Sequence, residues 1–238
     1  MKNLSNIIYG RNVVMEALKS NRVLKLFLVE GFSDSKILNN VNKNIEIKYI
    51  SLKEMNNICD GVHQNCAAEI KPYEYLDLEG LINLANKKKV PVILMLDGIE
   101  DNHNLGAILR CADVFDVTGI IIPKHNQISL NSTVAKTSAG AINYVPVCQV
   151  NNLNQAIEKL KAEGYWIVSS DGEGKTFYNE LKYDFKTVLI IGSEGFGISK
   201  LVLKNSDYVI RIPMLGKVNS LNASVATGIL LSYIRNHK

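Results

Sequence analysis

The chain has 238 residues, enough for one large domain or two modest ones, with 47% hydrophobic and 21% charged residues. That balance excludes a disordered protein, and no apolar run approaches the ~20 residues that span a bilayer. A net charge of +4, from 27 basic and 23 acidic residues, permits a nucleic-acid partner without demanding one. The N-terminal stretch MKNLSNIIYGRN lacks a long apolar h-region and a small-residue cleavage site, so a cytoplasmic protein is expected. Cys59, Cys66, Cys111 and Cys148 form no CxxC pair and read as buried thiols in a reducing compartment. His63, His103, His125 and His237 lack metal-ligand spacing, so neither a metal nor a membrane partner is expected.

In chain order, residues 10 to 20 read as an opening helix with Val13, Val14, Ala17 and Leu18 on one face. Strand patterns at 24–29 and 45–50 alternate with helical patterns at 33–41 and 51–58, and Ser51 with Glu54 suits a capping box. The run Lys71-Pro72-Tyr73-Glu74-Tyr75-Leu76-Asp77 breaks the pattern and reads as a linker, followed by a helix over 78–87. Lys87-Lys88-Lys89 closes that helix, where cations suit the negative end of its dipole. Apolar strands are predicted at 90–96, 119–122, 144–148, 165–169, 188–191 and 208–212. Between them lie amphipathic helices, clearest at Leu153, Ala156, Ile157 and Leu160. Near-continuous apolar strands alternating with such helices predict an α/β fold with a mainly parallel sheet covered on both faces.

The densest chemistry runs from Thr187 to Ser224. Val188-Leu189-Ile190-Ile191 leads directly into Gly192-Ser193-Glu194-Gly195-Phe196-Gly197. Tyr208-Val209-Ile210-Arg211-Ile212 leads into Pro213-Met214-Leu215-Gly216, then Ser220-Leu221-Asn222. In open α/β sheets, ligands sit at the carboxyl ends of strands, where such loops gather. Glycines there let a backbone approach a flat ligand closely. Asn104 suits a helix cap, with Arg110 at the far end of the short helix it begins, and Ser220 and Asn222 suit caps for a final helix over 221–234. Asp171-Gly172-Glu173-Gly174-Lys175-Thr176 ends like a phosphate-binding loop, but Ser169 stands where the GxxxxGK[ST] pattern needs glycine. Asp97-Gly98 is followed by no GxGxxG, so a dinucleotide fold is not indicated either.

Three ordered stretches resemble the motifs of the SpoU-like (TrmH) RNA ribose methyltransferases of the SPOUT class. Asn104 to Arg110 matches NxGAIxR, Gly192 to Ser199 matches GSEGxGxS, and Ile212 to Ala226 matches IPMxGxxxSLNxSxA. Upstream, Tyr9 to Leu18 resembles the start of the family's L30e-like RNA-binding domain. His63-Gln64 resembles its HQG, with Asn65 in place of glycine, and Asn102 replaces a usual proline. The resemblance implies an L30e-like α/β domain over 1–71, a linker and connecting helix over 72–88, and a SPOUT catalytic domain with a deep trefoil knot over 89–238. It further implies S-adenosyl-L-methionine as cofactor, held by main-chain groups at Gly192, Ile212, Met214 and Leu221. Asn104, Arg110, Glu194, Ser220 and Asn222 would line the methyl-transfer site. Guanidinium is a poor base, so Arg110 is expected to hold phosphate and stabilise alkoxide charge while the proton leaves by another route. Glu194 would orient Arg110 or substrate, or offset the sulfonium charge. The implied substrate is a guanosine of 23S ribosomal RNA in the peptidyl-transferase region, methylated on its ribose 2′-hydroxyl by a homodimer. Methylation of transfer RNA, or a non-catalytic RNA-binding or ribosome-assembly factor on the same fold, are the alternatives.

Overall fold

Strand β1 (Ile7–Tyr9) runs into Gly10, whose φ of 95° turns the chain into α1 (Arg11–Lys19). An L-residue with a side chain resists that dihedral, so glycine is needed at this turn. Helix α1 buries Val13, Val14, Ala17 and Leu18, the face its periodicity predicts. Then come β2 (Val23–Val29), α2 (Ser35–Leu38), β3 (Glu46–Ile50), α3 (Leu52–Ile58) and β4 (Cys66–Ile70). Helix α2 is shorter than the predicted 33–41, because Asp34 caps it by accepting from the Lys36 amide. The Ser51–Glu54 capping box of α3 is present in both directions. The sheet order is β1-β4-β2-β3, with β4 antiparallel to both neighbours and β2 parallel to β3. The computed structural model describes residues 6–59 and 61–237; residues 1–5, where the N-terminal stretch read above begins, lie outside them.

His63, only 8% exposed, bonds Asn56 Oδ1 through Nε2 at 2.9 Å and accepts the Asn65 amide at Nδ1 at 3.0 Å. Those partners require the proton on Nε2. Gln64 and Asn65 both have positive φ, 53° and 61°. Asparagine tolerates the left-handed region better than other residues with side chains, which is why Asn65 can stand where the resemblance expects glycine. Gln64 Oε1 accepts the Arg11 amide at 2.9 Å and ties this turn to the start of α1.

The chain continues through α4 (Leu78–Ala85), β5 (Val92–Asp97), α5 (Asn102–Val114) and β6 (Gly119–Pro123). The chain divides into two units: Met1–Tyr73 with Ser129–Tyr144, and Glu74–Ile128 with Val145–Lys238. The sequence reading set 72–88 apart as a linker and helix. Here Leu76 hydrogen-bonds along the edge strand at Val147 and Gln149, and Leu81, Ile82 and Ala85 of α4 enter the core of the second unit.

The segment Ser129–Tyr144, carrying α6 (Ser132–Thr137), packs with the first unit although it follows β6 in sequence. Tyr144 Oη donates to Glu16 at 2.5 Å, and the Lys136 ammonium lies 4.9 Å from the Tyr9 ring centre. Gly140, at φ 92°, leaves no room for a side chain, since a Cβ would stand 2.6 Å from that of Glu16. The Glu16 carboxyl is desolvated, which alone would raise its pKa, yet bonds from Lys19 and Tyr144 hold it below the usual range.

Past this excursion come β7 (Val147–Val150), α7 (Leu153–Ala162), β8 (Trp166–Ser170), β9 (Thr176–Phe177), β10 (Thr187–Gly192), α8 (Lys200–Lys204), β11 (Tyr208–Arg211) and α9 (Ala223–Asn236). Seven strands pair in the order β7-β6-β5-β10-β8-β11-β9, and every recorded pairing is parallel. This confirms the α/β reading with a mainly parallel sheet. Central β10 buries Thr187 through Ile191, matched by Val92 through Leu96 of β5 beside it. Truncating one of these side chains to alanine costs ~2–5 kcal/mol, because a cavity remains in a close-packed interior.

Cys59, Cys66 and Cys148 are buried thiols outside any disulfide, as predicted, with burial pushing the pKa of Cys66 up to about 12 and that of Cys148 up to about 11. Cys111 departs from that reading: it is only partly buried, with its sulfur 3.6 Å from where a Cβ on Gly228 would stand. Among the described residues no helix is long and apolar enough to cross a membrane, and no cluster of three or more potential metal ligands occurs.

Candidate functional site

Four adjacent parallel strands end at one edge of the large sheet. β5 ends at Asp97, β10 at Gly192, β8 at Ser170 and β11 at Arg211. Asp97 and Gly192 are register partners, so the loops after β5 and β10 leave side by side. The turn at Gly98, with φ 78°, leads to Asp101, which caps α5 by accepting the amides of His103 and Asn104 at 2.5 and 3.3 Å. The expectation that Asn104 caps this helix is therefore corrected. The helix begins at Asn102, the Asp101 carboxylate fills the capping role, and the Asn104 side chain is left for other work.

That work is to meet Glu194. Asn104 Nδ2 donates to Glu194 Oε1 at 3.1 Å, and Asn222 Nδ2 donates to the same oxygen and to Asn104 Oδ1, the latter at 2.8 Å. Asn222 caps α9, as its residue type predicts. Its Oδ1 accepts the Ser224 and Val225 amides at 2.9 and 3.3 Å and the Ser224 hydroxyl at 2.6 Å. The cap dictates the amide's orientation. With Oδ1 committed to the helix, the Asn222 NH₂ must face Glu194 and Asn104, and the Asn104 NH₂ must then face Glu194 as well. A carboxylate held by two amides beside the first turns of α5 and α9 also gains from the positive ends of both helix dipoles.

The loop after β10 is braced by its own backbone. Ser193 and Gly197 exchange two main-chain bonds at 3.1 and 2.9 Å, and Ser193 Oγ accepts the Phe196 amide at 3.2 Å. Asp97 then accepts the Ser199 amide at 2.8 Å. Gly192 is obligatory in this fold-back, since a Cβ there would stand 2.2 Å from the Gly197 carbonyl carbon.

A cleft opens between this loop, the Ser170-Asp171-Gly172 turn and the segment after β11. Gly192, Ile212, Met214 and Leu221 line it, as do Glu194 and Ser220. Asp171, Asn219 and Ala226 line it too, and the sequence reading did not single them out for this site. Within the described residues, none from Ile212 to Leu221 makes a recorded hydrogen bond with the rest of the chain. A whole stretch of main-chain donors and acceptors is thus free beside an apolar floor of Ile191, Ile212 and Ala223. Such a donor set fits a flat heterocycle with hydrogen-bonding edges, the adenosine half of S-adenosylmethionine included.

Asn104 and Asn222 do not line this cleft themselves but join it through Glu194, whereas Arg110 neither lines it nor bonds that cluster. It is exposed on α5, which runs on to Val114 rather than ending at Arg110. Its position six residues after Asn104 turns it to a different face of the helix from the amide that meets Glu194. The phosphate-loop look-alike, Asp171 to Thr176, runs into the short edge strand β9 and opens no helix, which removes the geometry that such a loop requires.

Comparison with known proteins identifies the family. Residues 91–232 match the SpoU rRNA Methylase family, and residues 7–76 match a domain described as RNA 2′-O ribose methyltransferase substrate binding. Relatives named for the TrmH family of tRNA/rRNA methyltransferases include a Staphylococcus saprophyticus protein, 42% identical over 94% of this chain and 93% of its own length. Another is YacO of Bacillus subtilis, 40% identical over 97% of this chain and 95% of its own. Among solved structures, the SpoU methyltransferase AviRb of Streptomyces viridochromogenes in complex with AdoMet superposes with a TM-score of 0.80 at 20% identity. That match covers 96% of this chain and 88% of that one. An AdoMet-bound rRNA methyltransferase from Sinorhizobium meliloti gives 0.83 at 22% identity, over 99% and 88%. At that identity these two show the shared fold. Over nearly its whole length, then, this chain belongs to the SpoU rRNA methylase family, with the family's substrate-binding domain preceding the methylase.

Proposed function

We propose that the protein methylates a ribose 2′-hydroxyl in RNA with S-adenosyl-L-methionine, its substrate a guanosine of 23S ribosomal RNA in the peptidyl-transferase region. The observation that carries this reading is the Asn104–Glu194–Asn222 cluster at the mouth of a cleft whose wall, Ile212 to Leu221, offers unpaired main-chain groups. Gly192, Ile212, Met214 and Leu221 would hold the cofactor, which supplies a methyl group already activated by a positive sulfonium. Asn104 and Glu194 orient the ribose, Glu194 offsets positive charge nearby, Ser220 completes the wall, and Asn222 holds Glu194 in place. A TrmH-family context supports the reading, as does a first domain of the kind that binds substrates of RNA 2′-O ribose methyltransferases. We include in the proposal the L30e-like fold of that domain, the trefoil knot of the second and a cytoplasmic location.

Arg110 stabilises the developing alkoxide in this scheme, as a permanent cation suited to phosphate and oxyanion. Since it lies outside the cleft of its own chain, a homodimer that joins the outer faces of α5 would bring it to a partner's cleft. Val114, one turn from Arg110 and 68% exposed, gives that face apolar surface to bury.

The test is transfer of labelled methyl from S-adenosylmethionine to 23S, 16S and transfer RNA taken from cells without the enzyme, with Arg110→Ala as control. Label recovered as 2′-O-methylguanosine in 23S RNA and lost in the variant supports the full reading. Label in transfer RNA alone keeps the chemistry and replaces the substrate. Cofactor binding without transfer to any of these RNAs overturns the proposal of free 23S RNA as substrate. Absence of cofactor binding overturns the enzymatic reading.

A further inference from the structure

Phe196 stands at the tip of the loop after β10 with 97% of its surface exposed. Gly195 precedes it with open space where a side chain would stand, and Gly197 follows at φ 65°. The bracing bonds of Ser193 thus hold a solvated phenyl ring beside Glu194. The ring lines a second cavity, with Glu100, Asp101 and Asn104 on its walls, and this cavity shares Ser193 and Glu194 with the first. One cavity would hold the cofactor; the other adjoins it at Glu194 and adds Asn104 to its lining.

The chemistry of this second cavity narrows its occupant. Its ionisable wall residues are Glu100, Asp101 and Glu194, with no lysine or arginine. A phosphate there would meet like charge. An apolar surface from a second protein copy would bury carboxylates without partners, which is costly. A nucleobase satisfies both constraints, presenting a π-face to the phenyl ring and N–H groups to the carboxylates. Asp101 is committed to its helix cap and Glu194 to two asparagines, which leaves exposed Glu100 to accept from the base.

We propose that Phe196 stacks on the base of the nucleotide whose ribose lies at Asn104 and Glu194, and that Glu100 accepts N–H bonds from its edge. Guanine fits best, because its adjacent N1–H and N2–H match the two oxygens of one carboxylate. Phe196 is then a substrate-binding residue and Glu100 a specificity residue. The inference rests on the RNA-methylation reading above and adds which side of the site takes the base.

The experiment separates the two. Wild type, Phe196→Ala, Phe196→Trp and Glu100→Gln are compared for kcat and KM on RNA, for cofactor Kd by calorimetry and for oligomeric state by light scattering. Phe196→Ala is expected to raise the KM for RNA on the order of 10-fold, the scale of one lost base stack. Cofactor affinity and oligomeric state stay unchanged, and Phe196→Trp restores the KM. Glu100→Gln is expected to narrow the preference for guanosine over inosine at the target. Independently of catalysis, short guanosine-containing RNA should quench the added emission of Phe196→Trp, measured against the wild type's Trp166 background. No quenching, or an unchanged KM in Phe196→Ala, overturns the inference. Loss of cofactor binding or of the oligomer in Phe196→Ala overturns it too, reassigning the ring to the cofactor or to a subunit contact. Quenching without methyl transfer by wild type sinks the methylation reading and leaves the base site standing.

Discussion

The two loops that face each other across the cleft are built in opposite ways. Gly192 to Ser199 is well braced: two bonds join Ser193 and Gly197, one runs from Phe196 to Ser193 Oγ, and one ties Ser199 to Asp97 of β5. Among the described residues, Ile212 to Leu221 makes no hydrogen bond to the rest of the chain, and Leu215 at its tip is 98% exposed. The first loop is therefore shaped before any ligand arrives, and it carries the carboxylate whose position matters most. The second meets its bonding partners only when a ligand supplies them, so ordering it draws on binding free energy. One wall positions and the other recognises.

The largest expected effect comes from breaking the pre-shaped wall. Gly192→Ala places a Cβ 2.2 Å from Gly197 backbone, which cannot yield as a side chain can. It should destabilise the protein by about 3 kcal/mol or more and abolish cofactor binding, read by thermal unfolding and calorimetry. Next is Asn222, which serves a helix cap and the Glu194 cluster together. Asn222→Ala should lose ~1 kcal/mol in urea unfolding as the cap disappears. Asn222→Asp should keep the cap yet set a second carboxylate against Glu194, leaving stability near wild type while kcat falls on the order of 100-fold. If both variants lose activity only in proportion to stability, the cluster is structural and nothing more.

Ser193→Ala removes one bond from the braced loop and should cost ~1 kcal/mol, with the main-chain pair to Gly197 preserved. Smallest of all is Gly216→Ala in the unbonded wall. No atom stands within 4 Å of the new Cβ and φ is not positive there, so stability should change by less than ~0.5 kcal/mol. Hydrogen exchange sharpens the same contrast. Amides of the unbonded wall should exchange freely in the ligand-free protein and slow on cofactor addition, while the Ser193–Gly197 amides are protected throughout.

Much of the large sheet was legible because its strands are short apolar runs. Parallel strands buried on both faces have no polar side to interrupt them, and Val92 to Leu96 and Thr187 to Ile191 are fully buried. Strands β1 and β4 escaped the reading. Ile7–Tyr9 is three residues long and Cys66-Ala67-Ala68-Glu69-Ile70 is rich in small side chains, so neither carries a β-type pattern without its neighbours. Helix α5 was read six residues too narrowly around Asn104 and Arg110, because the signal that starts it is Asp101 and the turns beyond Arg110 are weakly amphipathic. The cleft-lining residues Gly192, Ile212, Met214 and Leu221 were legible through their motifs, whereas Asp171 and Asn219 were not, being ordinary loop residues until folding lines the cleft with them.

By itself the sequence determined the α/β class, the family and the residues Asn104, Glu194 and Asn222, since motif order and local periodicity are properties of neighbours along the chain. Tertiary structure alone decided that these three meet, with 90 and 118 positions separating Asn104 from its two partners. It also decided that Ser129–Tyr144 belongs with the first unit, through the close approach of Gly140 to Glu16, and that Arg110 turns away from its own cleft. Each of these depends on which surfaces pack together, and packing joins residues by complementary shape and unmet hydrogen bonds, which no local pattern encodes.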